Sequence, residues 1–337
     1  MTVQERIEAF SRLGDRIKSL TDNEFASLAI RVEQNNNWFT PDQTRFALNS
    51  ISTLLDETSL AAWLDNYALS DNTPPQSVGL LMAGNIPAVG FHDLMCILLS
   101  GHEAHCKLSS SDQVLIKWLS TELITINPCF KSRIFFEEML KGKEAYIATG
   151  SDNSARYFEY YFGKYPSIIR KNRTSIAVLD GHESSEDFRS LGHDIFQYYG
   201  LGCRNVSKLY LKNETQLQEF LAAIDGFHFL ASHHKYLNNY DYNKAIYLVN
   251  GEHHLDNGFL LIKESDQLVS PIAVLFVEYY EDHEQLQLKL QEHEHKIQCV
   301  VSRNSWYPKS LNFGTAQAPS LSDYADHVDT MRFLTSL

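Results

Sequence analysis

The residue with the clearest chemical potential is Cys203, which lies in the short segment Gly200-Leu-Gly-Cys203. Apolar spacing predicts a helix over 185–199, and a strand is predicted to begin near Val206. Two glycines within three residues permit positive φ angles, which favours a tight turn that presents the thiol at a helix-to-strand corner. A thiol at such a corner can attack a carbonyl carbon while backbone N–H groups stabilise the developing charge. The alternative is an ordinary buried cysteine.

The composition restricts the class of protein. The 337 residues, 44% of them hydrophobic and 21% charged, predict a globular protein with two domains or one large α/β unit. A formal net charge of -13 argues against nucleic acid as a partner. The five cysteines form no CxxC pair and no histidine group has metal-ligand spacing, which predicts a reducing cytoplasm and no metal. The start lacks a signal-peptide pattern, and no apolar run reaches the roughly 18 residues of a membrane span.

Helical periodicity dominates the chain up to about Tyr67. Thr21-Asp-Asn-Glu24 has the form of a capping box, and Thr40-Pro41 predicts a helix N-terminus. Nothing in this part suggests chemistry, so we expect a scaffold. Residues 71–76 then predict a loop.

After that loop, short apolar runs alternate with helical segments. The runs at 77–83, 103–107 and 145–148 predict three strands, each followed by a helical pattern. This alternation is typical of a parallel, doubly wound sheet, which binds ligands outside the carboxyl ends of its strands. Further strands are predicted at 166–170, 175–180, 206–211, 258–263, 271–279 and 296–302.

Polar residues follow the first three strands: Asn85, then Lys107 with Ser109 and Ser110, then Thr149-Gly-Ser151. Gly150 and Ser151 would open a helix, whose free N–H groups and positive dipole end attract a phosphate. The alternative is that Thr149 or Ser151 simply caps the helix. The GxGxxG pattern of many dinucleotide sites does not occur here.

Taken in order, Asn85-Ile-Pro87, Lys107-Leu-Ser109, Thr149-Gly-Ser151 and Gly202-Cys203 resemble the aldehyde dehydrogenase superfamily. Within it, the chain is more similar to the LuxC-like acyl-CoA reductases. Three segments carry that likeness: 148–157 (ATGSDNSARY), 200–207 (GLGCRNVS) and 324–330 (YADHVDT). The resemblance extends from about Ser77 to the C-terminus.

The resemblance implies a role for each matching residue. Cys203 would be the nucleophile that becomes acylated, and Asn85 would donate its amide to the oxyanion together with the Cys203 N–H. The cofactor's adenosine ribose or its phosphate would bind at Lys107, Ser109 and Ser110, and its pyrophosphate at Thr149, Gly150 and Ser151. Gln267 lies where oxidising members carry a glutamate that holds the nicotinamide ribose. His193 and Asp194 are expected to be structural, and no general acid is assigned.

Two departures from the superfamily pattern refine the expectation. Oxidising members carry a water-activating glutamate some thirty residues before the cysteine, whereas residues 168–174 here are basic and contain no carboxylate. Ser110 replaces the glutamate that binds a free 2′-hydroxyl, and the loss of that carboxylate favours NADPH over NADH. The missing glutamate fits thioester chemistry, in which hydrolysis of the acyl-enzyme would be a wasteful side reaction.

The resulting hypothesis is an α/β protein with the aldehyde dehydrogenase-like fold that reduces a long-chain fatty acyl-CoA to the aldehyde with NADPH. We expect a helical scaffold and NADP-binding domain at 1–173, a catalytic domain at 174–312, and a tail at 313–337 that packs on both. A homo-oligomer and an acyl-transferring partner protein are also expected. The aromatic segment 227–242 is interpreted as core rather than as an acyl tunnel. Open alternatives are an acyl phosphate reductase, an aldehyde oxidiser and a non-catalytic acyl-binding subunit.

Overall fold

The structure is a computed structural model that describes residues 1–71 and 74–337, and it divides into two compact units. The first unit comprises Met1–Asn172 and Ser320–Leu337, and the second comprises Arg173–Pro319. The predicted boundary between 173 and 174 lies one residue from this division. The predicted tail at 313–337 is divided, since its first seven residues belong to the second unit. Two positions of the predicted 71–76 loop, Asn72 and Thr73, lie outside the described residues.

The first unit begins with helices and continues as an alternating α/β segment. Its elements are α1 (Val3–Lys18), α2 (Asp22–Asn35), α3 (Pro41–Leu54), α4 (Glu57–Leu64), β1 (Ser77–Leu81), α5 (Phe91–Ser100), β2 (Glu103–Lys107), α6 (Val114–Ile126), β3 (Ile134–Phe136), β4 (Ala145–Thr149), α7 (Asp152–Phe162) and β5 (Ser167–Arg170).

The N-terminal helices form for the reasons that their sequence indicates. The side chain of Thr21 accepts the backbone N–H of Glu24, whose carboxylate accepts the Thr21 N–H, so the predicted capping box is present. Thr40 caps α3 with Pro41 at its first turn. Phe10 and Leu13 of α1 are fully buried in the core that these helices share with α5 and α6. This part of the chain is the expected scaffold.

The five strands of the first unit form one parallel sheet in the order β3-β2-β1-β4-β5. The middle strands are almost wholly apolar and buried because helices cover both faces of a doubly wound sheet. Leu81 at the end of β1 pairs with Lys107 on one side and with Ala148 on the other. The segments that follow β1, β2 and β4 therefore leave the sheet at the same edge.

The returning end of the chain is attached to this unit by a buried cation. Arg170, at the end of β5, pairs with Asp93 at 2.5 Å and donates to the hydroxyl of Thr330 at 2.8 Å. Thr330 opens a last short helix. The buried Arg170 therefore links the sheet, α5 and the C-terminal segment. Arg170 is one of the basic residues at 168–174 noted in the sequence.

The second unit is a second α/β layer. Its elements are β6 (Thr174–Val178), α8 (Ser185–Phe196), β7 (Val206–Leu211), α9 (Glu214–Ala223), α10 (His234–Asn250), β8 (Leu255–Asp256), β9 (Leu261–Glu264), β10 (Val274–Tyr279), α11 (His283–Glu292), β11 (Ile297–Ser302) and β12 (Leu311–Asn312). The last helix of the chain, α12 (Thr330–Thr335), belongs to the first unit.

The second sheet has the strand order β12-β11-β6-β7-β10-β9-β8, with only the two-residue β8 antiparallel among its described pairs. Parallel strands with buried faces explain why their near-continuous apolar runs could be recognised in the sequence. Several predicted elements are shorter in the structure. The helix predicted to run to Tyr199 ends at Phe196, and the strand predicted at 77–83 ends at Leu81. The strands predicted at 258–263 and 271–279 begin at Leu261 and Val274.

Candidate functional site

The segment that carries Cys203 connects the end of α8 to the start of β7, and we refer to residues 197–205 as the Cys203 turn. Tyr198, Tyr199 and Gly200 have consecutive positive φ angles of 54°, 58° and 78°. Of the two glycines that permit positive φ, only Gly200 takes it, and Tyr198 and Tyr199 take that conformation as well. Left-handed backbone is costly for bulky residues and persists where packing enforces it. Both tyrosines are buried, and the Tyr199 ring lies 4.2 Å from the ring of His233.

Asn205 holds the Cys203 turn in shape. Its side-chain nitrogen donates to the carbonyls of Asp194, Ile195 and Gln197 at 3.1, 3.2 and 2.8 Å. Its side-chain oxygen accepts the N–H of Gly202 at 2.7 Å. One buried amide therefore satisfies the carbonyls at the end of α8 and also fixes the residue next to Cys203.

Replacement of Asn205 by alanine should lower the free energy of unfolding by about 2–4 kcal/mol, because several buried polar groups would lose their partner together. Asn205→Asp should not rescue the stability, since a carboxylate cannot donate to three carbonyls. Urea unfolding measures the effect. Asn238→Ala, at an exposed position on α10, is the matched control and should stay within about 0.5 kcal/mol of wild type. An Asn205→Ala protein as stable as this control would contradict the assignment.

A second thiol lies beside the Cys203 turn. The hydroxyl of Ser175 donates to the carbonyl of Cys203 at 3.0 Å, accepts the N–H of Cys299 at 3.2 Å and lies 2.9 Å from the Cys299 sulfur. Burial raises the pKa of the Cys299 thiol to about 11, although the charge of Arg204 lowers it. Cys299 is therefore a neutral thiol near pH 7. Cys203 is partly buried, which leaves it accessible to a reagent.

Gln267 lies in a loop that is attached to the strand following Cys203. The hydroxyl of Ser207 on β7 donates to the carbonyl of Leu268 at 2.6 Å and lies 2.6 Å from the hydroxyl of Thr174. Gln267 itself is exposed, and its backbone N–H donates to the Ser265 hydroxyl. Within the second unit, the structure therefore places Gln267 and Cys203 near the amino end of β7.

In the first unit, the polar residues predicted at strand ends lie at one edge of the sheet. The strand order reverses between β1 and β4, and doubly wound sheets bind ligands in the crevice at such a reversal. Asn85 follows β1, and Thr149-Gly-Ser151 follows β4. Lys107 ends β2, and its carbonyl accepts the N–H of Met82 beyond β1. Asn85, Lys107 and Ser151 all have exposed side chains at this edge.

The segment 83–90, which we refer to as the Asn85 loop, is held from inside by Asp112. Its carboxylate accepts the N–H of Ala88 at 2.7 Å, and Ala88 has a φ of 56°. Burial raises the pKa of Asp112 to about 7. A Cβ on Gly84 would lie 2.5 Å from the Ser109 hydroxyl, so the backbone at Gly84 must be bare for the two loops to touch. The structure thus brings the Asn85 loop and Ser109 together.

Ser110 is exposed on the loop that follows β2. Its carbonyl accepts an N–H from the side chain of Asn35 at 2.9 Å, and the side-chain oxygen of Asn35 faces the N–H of Gln113 at 3.4 Å. This attachment to the end of α2 fixes the loop and leaves the Ser110 side chain at the surface. The position can therefore accept a larger side chain without disturbing the core.

The segment at the start of α7 is organised as a capped helix. The Ser151 hydroxyl accepts the N–H of Ser154 at 3.2 Å, so Ser151 is the N-cap of α7, as the alternative interpretation of this serine predicted. A Cβ on Gly150 would lie 2.8 Å from the ring of Phe158, which explains the glycine by packing. The first backbone N–H groups of α7 have no acceptor within the helix, and they lie at the carboxyl edge of the sheet, where an anion can approach.

Comparison with solved structures identifies the fold class. The chain resembles aldehyde dehydrogenase 21 from Physcomitrella patens, with 13% identity, a TM-score of 0.62, and coverage of 90% of this chain and 73% of that one. It also resembles an indole-3-acetaldehyde dehydrogenase with NAD+ (12%, 0.65, 92% and 74%) and an aldehyde dehydrogenase of Mycobacterium tuberculosis with NAD+ (11%, 0.62, 94% and 76%). The fold is therefore that of the aldehyde dehydrogenases, as the sequence predicted.

The family model for acyl-CoA reductase (LuxC) matches residues 8–227. The protein belongs to the LuxC acyl-CoA reductase family, which confirms the resemblance seen in its motifs and supports an oxidoreductase activity on acyl-CoA and aldehyde groups. Comparison with curated proteins gives no match. Among the described residues, no helix has the length and apolar character to cross a membrane, and no cluster of His, Cys, Asp and Glu could hold a metal.

Three residues that shape the site were not recognised as such from sequence. Asn205 lies within a motif segment, yet the four hydrogen bonds of its side chain depend on the end of α8 folding back on it. Asp112 and Cys299 reach their partners across 24 and 124 positions of the chain. Only the polar character of Asp112 at the start of a helical segment offered a local signal.

Proposed function

We propose that this protein reduces a long-chain fatty acyl-CoA to the fatty aldehyde with NADPH, through an acyl thioester on Cys203. The observation that carries the proposal is a partly buried thiol held at a strained turn by Asn205, in a chain of the LuxC family. A rigid turn favours a nucleophile because the reacting sulfur is already positioned before the substrate arrives.

In the proposed reaction the Cys203 thiolate attacks the thioester carbonyl and CoA leaves as a thiolate. No dedicated base is needed, since one thiolate replaces another of similar basicity. The guanidinium of Arg204, the next residue in the chain, would favour the ionised thiol. The N–H of Cys203 and the side-chain amide of Asn85 would stabilise the oxyanion of the tetrahedral intermediate.

The absence of a water-activating carboxylate supports reduction over hydrolysis. Of the basic residues at 168–174, Arg170 is buried and paired with Asp93, and Arg173 donates to the carbonyl of Ile297. None of these side chains can remove a proton from water near pH 7. An acyl group on Cys203 would therefore persist until it is reduced.

The residues at the sheet edge of the first unit fit a nicotinamide dinucleotide phosphate. Lys107 and Ser110 are exposed, and Ser109 packs beside them on Gly84. The start of α7 at Thr149, Gly150 and Ser151 offers backbone N–H groups to a pyrophosphate. We assign the nicotinamide ribose to Gln267. Two structural neighbours are complexes with NAD+, which supports this class of cofactor. When bound, the cofactor would supply the hydride.

Ser110→Glu should reverse the preference for NADPH. A carboxylate beside the 2′-phosphate should weaken NADPH binding about 10- to 100-fold by repulsion and leave NADH binding unchanged or tighter. Dissociation constants of both nucleotides, measured by fluorescence titration, test this. Ser110→Gln is the matched control, since it has the same size without the charge and should keep the preference. Equal effects of the two substitutions would show that Ser110 does not contact the 2′-phosphate.

We propose further that the protein is cytoplasmic, where its five free cysteines stay reduced, and that it forms a homo-oligomer. We also propose an acyl-transferring partner protein, because a long-chain acyl group is poorly soluble in water unless a protein binds it.

The proposed function is tested by product analysis with two acyl donors. Purified protein and NADPH should convert a long-chain acyl-CoA to the aldehyde with one NADPH oxidised per aldehyde. An acyl phosphate of the same chain length should give no aldehyde. Aldehyde from the phosphate alone would indicate an acyl phosphate reductase, and no product from either would indicate a non-catalytic subunit. Free acid formed in a separate reaction from a long-chain aldehyde and NADP+ would indicate an oxidiser.

A further inference from the structure

The carboxylate of Asp194 is fully buried in the last turn of α8 and binds backbone groups of a distant loop. It accepts the N–H of Gly314 at 2.6 Å and the N–H of Ala316 at 3.0 Å. Gly314 has a φ of 78°, and a Cβ there would lie 3.3 Å from Ser190 on the same helix. We refer to residues 313–317 as the 313–317 loop. The two hydrogen bonds to the Asp194 carboxylate hold this loop against α8.

The same loop contacts the residue beside the nucleophile. A guanidinium nitrogen of Arg204 donates to the carbonyl of Ala316 at 3.4 Å. Asn205, the next residue, donates to the backbone carbonyl of Asp194 at 3.1 Å. The contacts close a ring that runs from the Asp194 carboxylate through Ala316, Arg204 and Asn205 back to Asp194. Cys203 is the residue directly before Arg204 in the chain, so the nucleophile is attached to this ring of contacts.

We propose that Asp194 is a positioning residue for the nucleophile, because it holds the 313–317 loop where the loop fixes Arg204 beside Cys203. The inference rests on the proposed function for the identity of the reaction, but the geometry of the ring does not. Asp194 touches neither thiol in this scheme and acts through Ala316 and Arg204. Its effect is on the orientation and the ionisation of Cys203.

Charge placement explains why the ring matters for the thiol. The Arg204 charge reaches this region, since it lowers the pKa of the nearby Cys299 thiol, while Asp194 raises it. Burial raises the pKa of the Asp194 carboxyl group to about 7, although the backbone N–H groups of Gly314 and Ala316 lower it. A displaced loop would remove the acceptor that the Ala316 carbonyl offers to Arg204 and so change the position of the guanidinium relative to the turn.

The test compares Asp194→Ala and Asp194→Asn with wild type in the full-length protein at pH 8. The first readout is the rate at which iodoacetamide alkylates Cys203, measured by peptide mass. This rate needs no acyl donor, so it remains informative even if Cys203 is never acylated. The second readout is the rate of acylation by acyl-CoA, with the Kd of NADPH alongside. Tyr280→Phe is the matched control, because it removes another buried hydrogen bond, to the Leu179 carbonyl, at the opposite edge of the same sheet.

Asp194→Ala should slow alkylation and acylation of Cys203 about 10- to 100-fold, as a small displacement of a reacting group can do, and leave NADPH binding unchanged. Asp194→Asn keeps one acceptor for a loop N–H and should recover part of the rate. Tyr280→Phe should alkylate within about twofold of wild type. In the double variant Asp194→Ala/Arg204→Ala the two losses should not add, because both act through one ring.

Two results would overturn the inference. The first is an Asp194→Ala protein that is less stable yet alkylates within twofold of wild type, which would make Asp194 structural only. The second is additive losses in the double variant, which would show that Asp194 and Arg204 act separately. If alkylation responds as expected but no variant is ever acylated, the ring stands and the proposed function fails.

Discussion

Cys203→Ala should lower the rate of aldehyde formation from acyl-CoA by about 10⁴-fold or more, which is the scale of loss when a covalent nucleophile is removed. The loss is expected to be large because the proposed reaction gives no other side chain the role of carrying the acyl group. Cys299 lies nearby, but burial keeps its thiol protonated near pH 7. Aldehyde release, followed by gas chromatography against NADPH oxidation, measures the loss.

Cys129→Ala is the matched control for this experiment. Cys129 is an exposed thiol in the first unit, so a reagent reaches it at least as readily as Cys203, but the proposal gives it no role. The control should retain full activity. Cys203→Ser should fail nearly as completely as alanine, because the hydroxyl stays protonated near pH 7. More than about one per cent residual activity in Cys203→Ala would place the nucleophile elsewhere.

Asn85→Ala should reduce kcat about 10²- to 10³-fold, which is the usual effect of removing one oxyanion donor. The backbone of the Asn85 loop is held in place, since the Asp112 carboxylate accepts the N–H of Ala88 and Ser109 packs against Gly84. The KM for acyl-CoA should change little, because the bond to the oxyanion is made in the transition state. Steady-state kinetics separate the two parameters.

Asn85→Asp supplies the matched comparison, since it keeps the shape of the side chain and loses its N–H donors. It should be at least as slow as Asn85→Ala, because a carboxylate would also repel the oxyanion. Asn85 is exposed, so both variants should unfold within about 0.5 kcal/mol of wild type. An Asn85→Ala protein with kcat within threefold of wild type would remove Asn85 from the proposed chemistry.

Most of the fold could be predicted from sequence because its strands are parallel and buried. Runs such as Ala145–Thr149 and Thr174–Val178 are mostly apolar and buried, and they lie between turn residues. The capping box at Thr21 is a local signal, and it is present as predicted. Short elements were missed: β3 and β12 have three and two residues, which is too few for a periodic pattern. The helix α10 begins at His234 and has aromatic residues on several faces, which obscured its period.

The shape of the Cys203 turn could not be predicted, because tertiary packing overrides local preference there. Glycine is the residue expected at positive φ, yet Tyr198 and Tyr199 take that conformation while Gly202 does not. Their burial and the four hydrogen bonds of Asn205 enforce it. Asp194 was expected to be structural. Its contacts with Gly314 and Ala316 span 120 and 122 positions, which no local pattern reveals.

The measurement that tests the central claim most directly is the intact mass of the wild-type protein after mixing with a long-chain acyl-CoA in the absence of cofactor. We expect a mass gain of one acyl group, located on the Cys203 peptide, that disappears with release of aldehyde when NADPH is added. No adduct across several chain lengths, or an adduct on another residue, would contradict an acyl thioester on Cys203 as the intermediate.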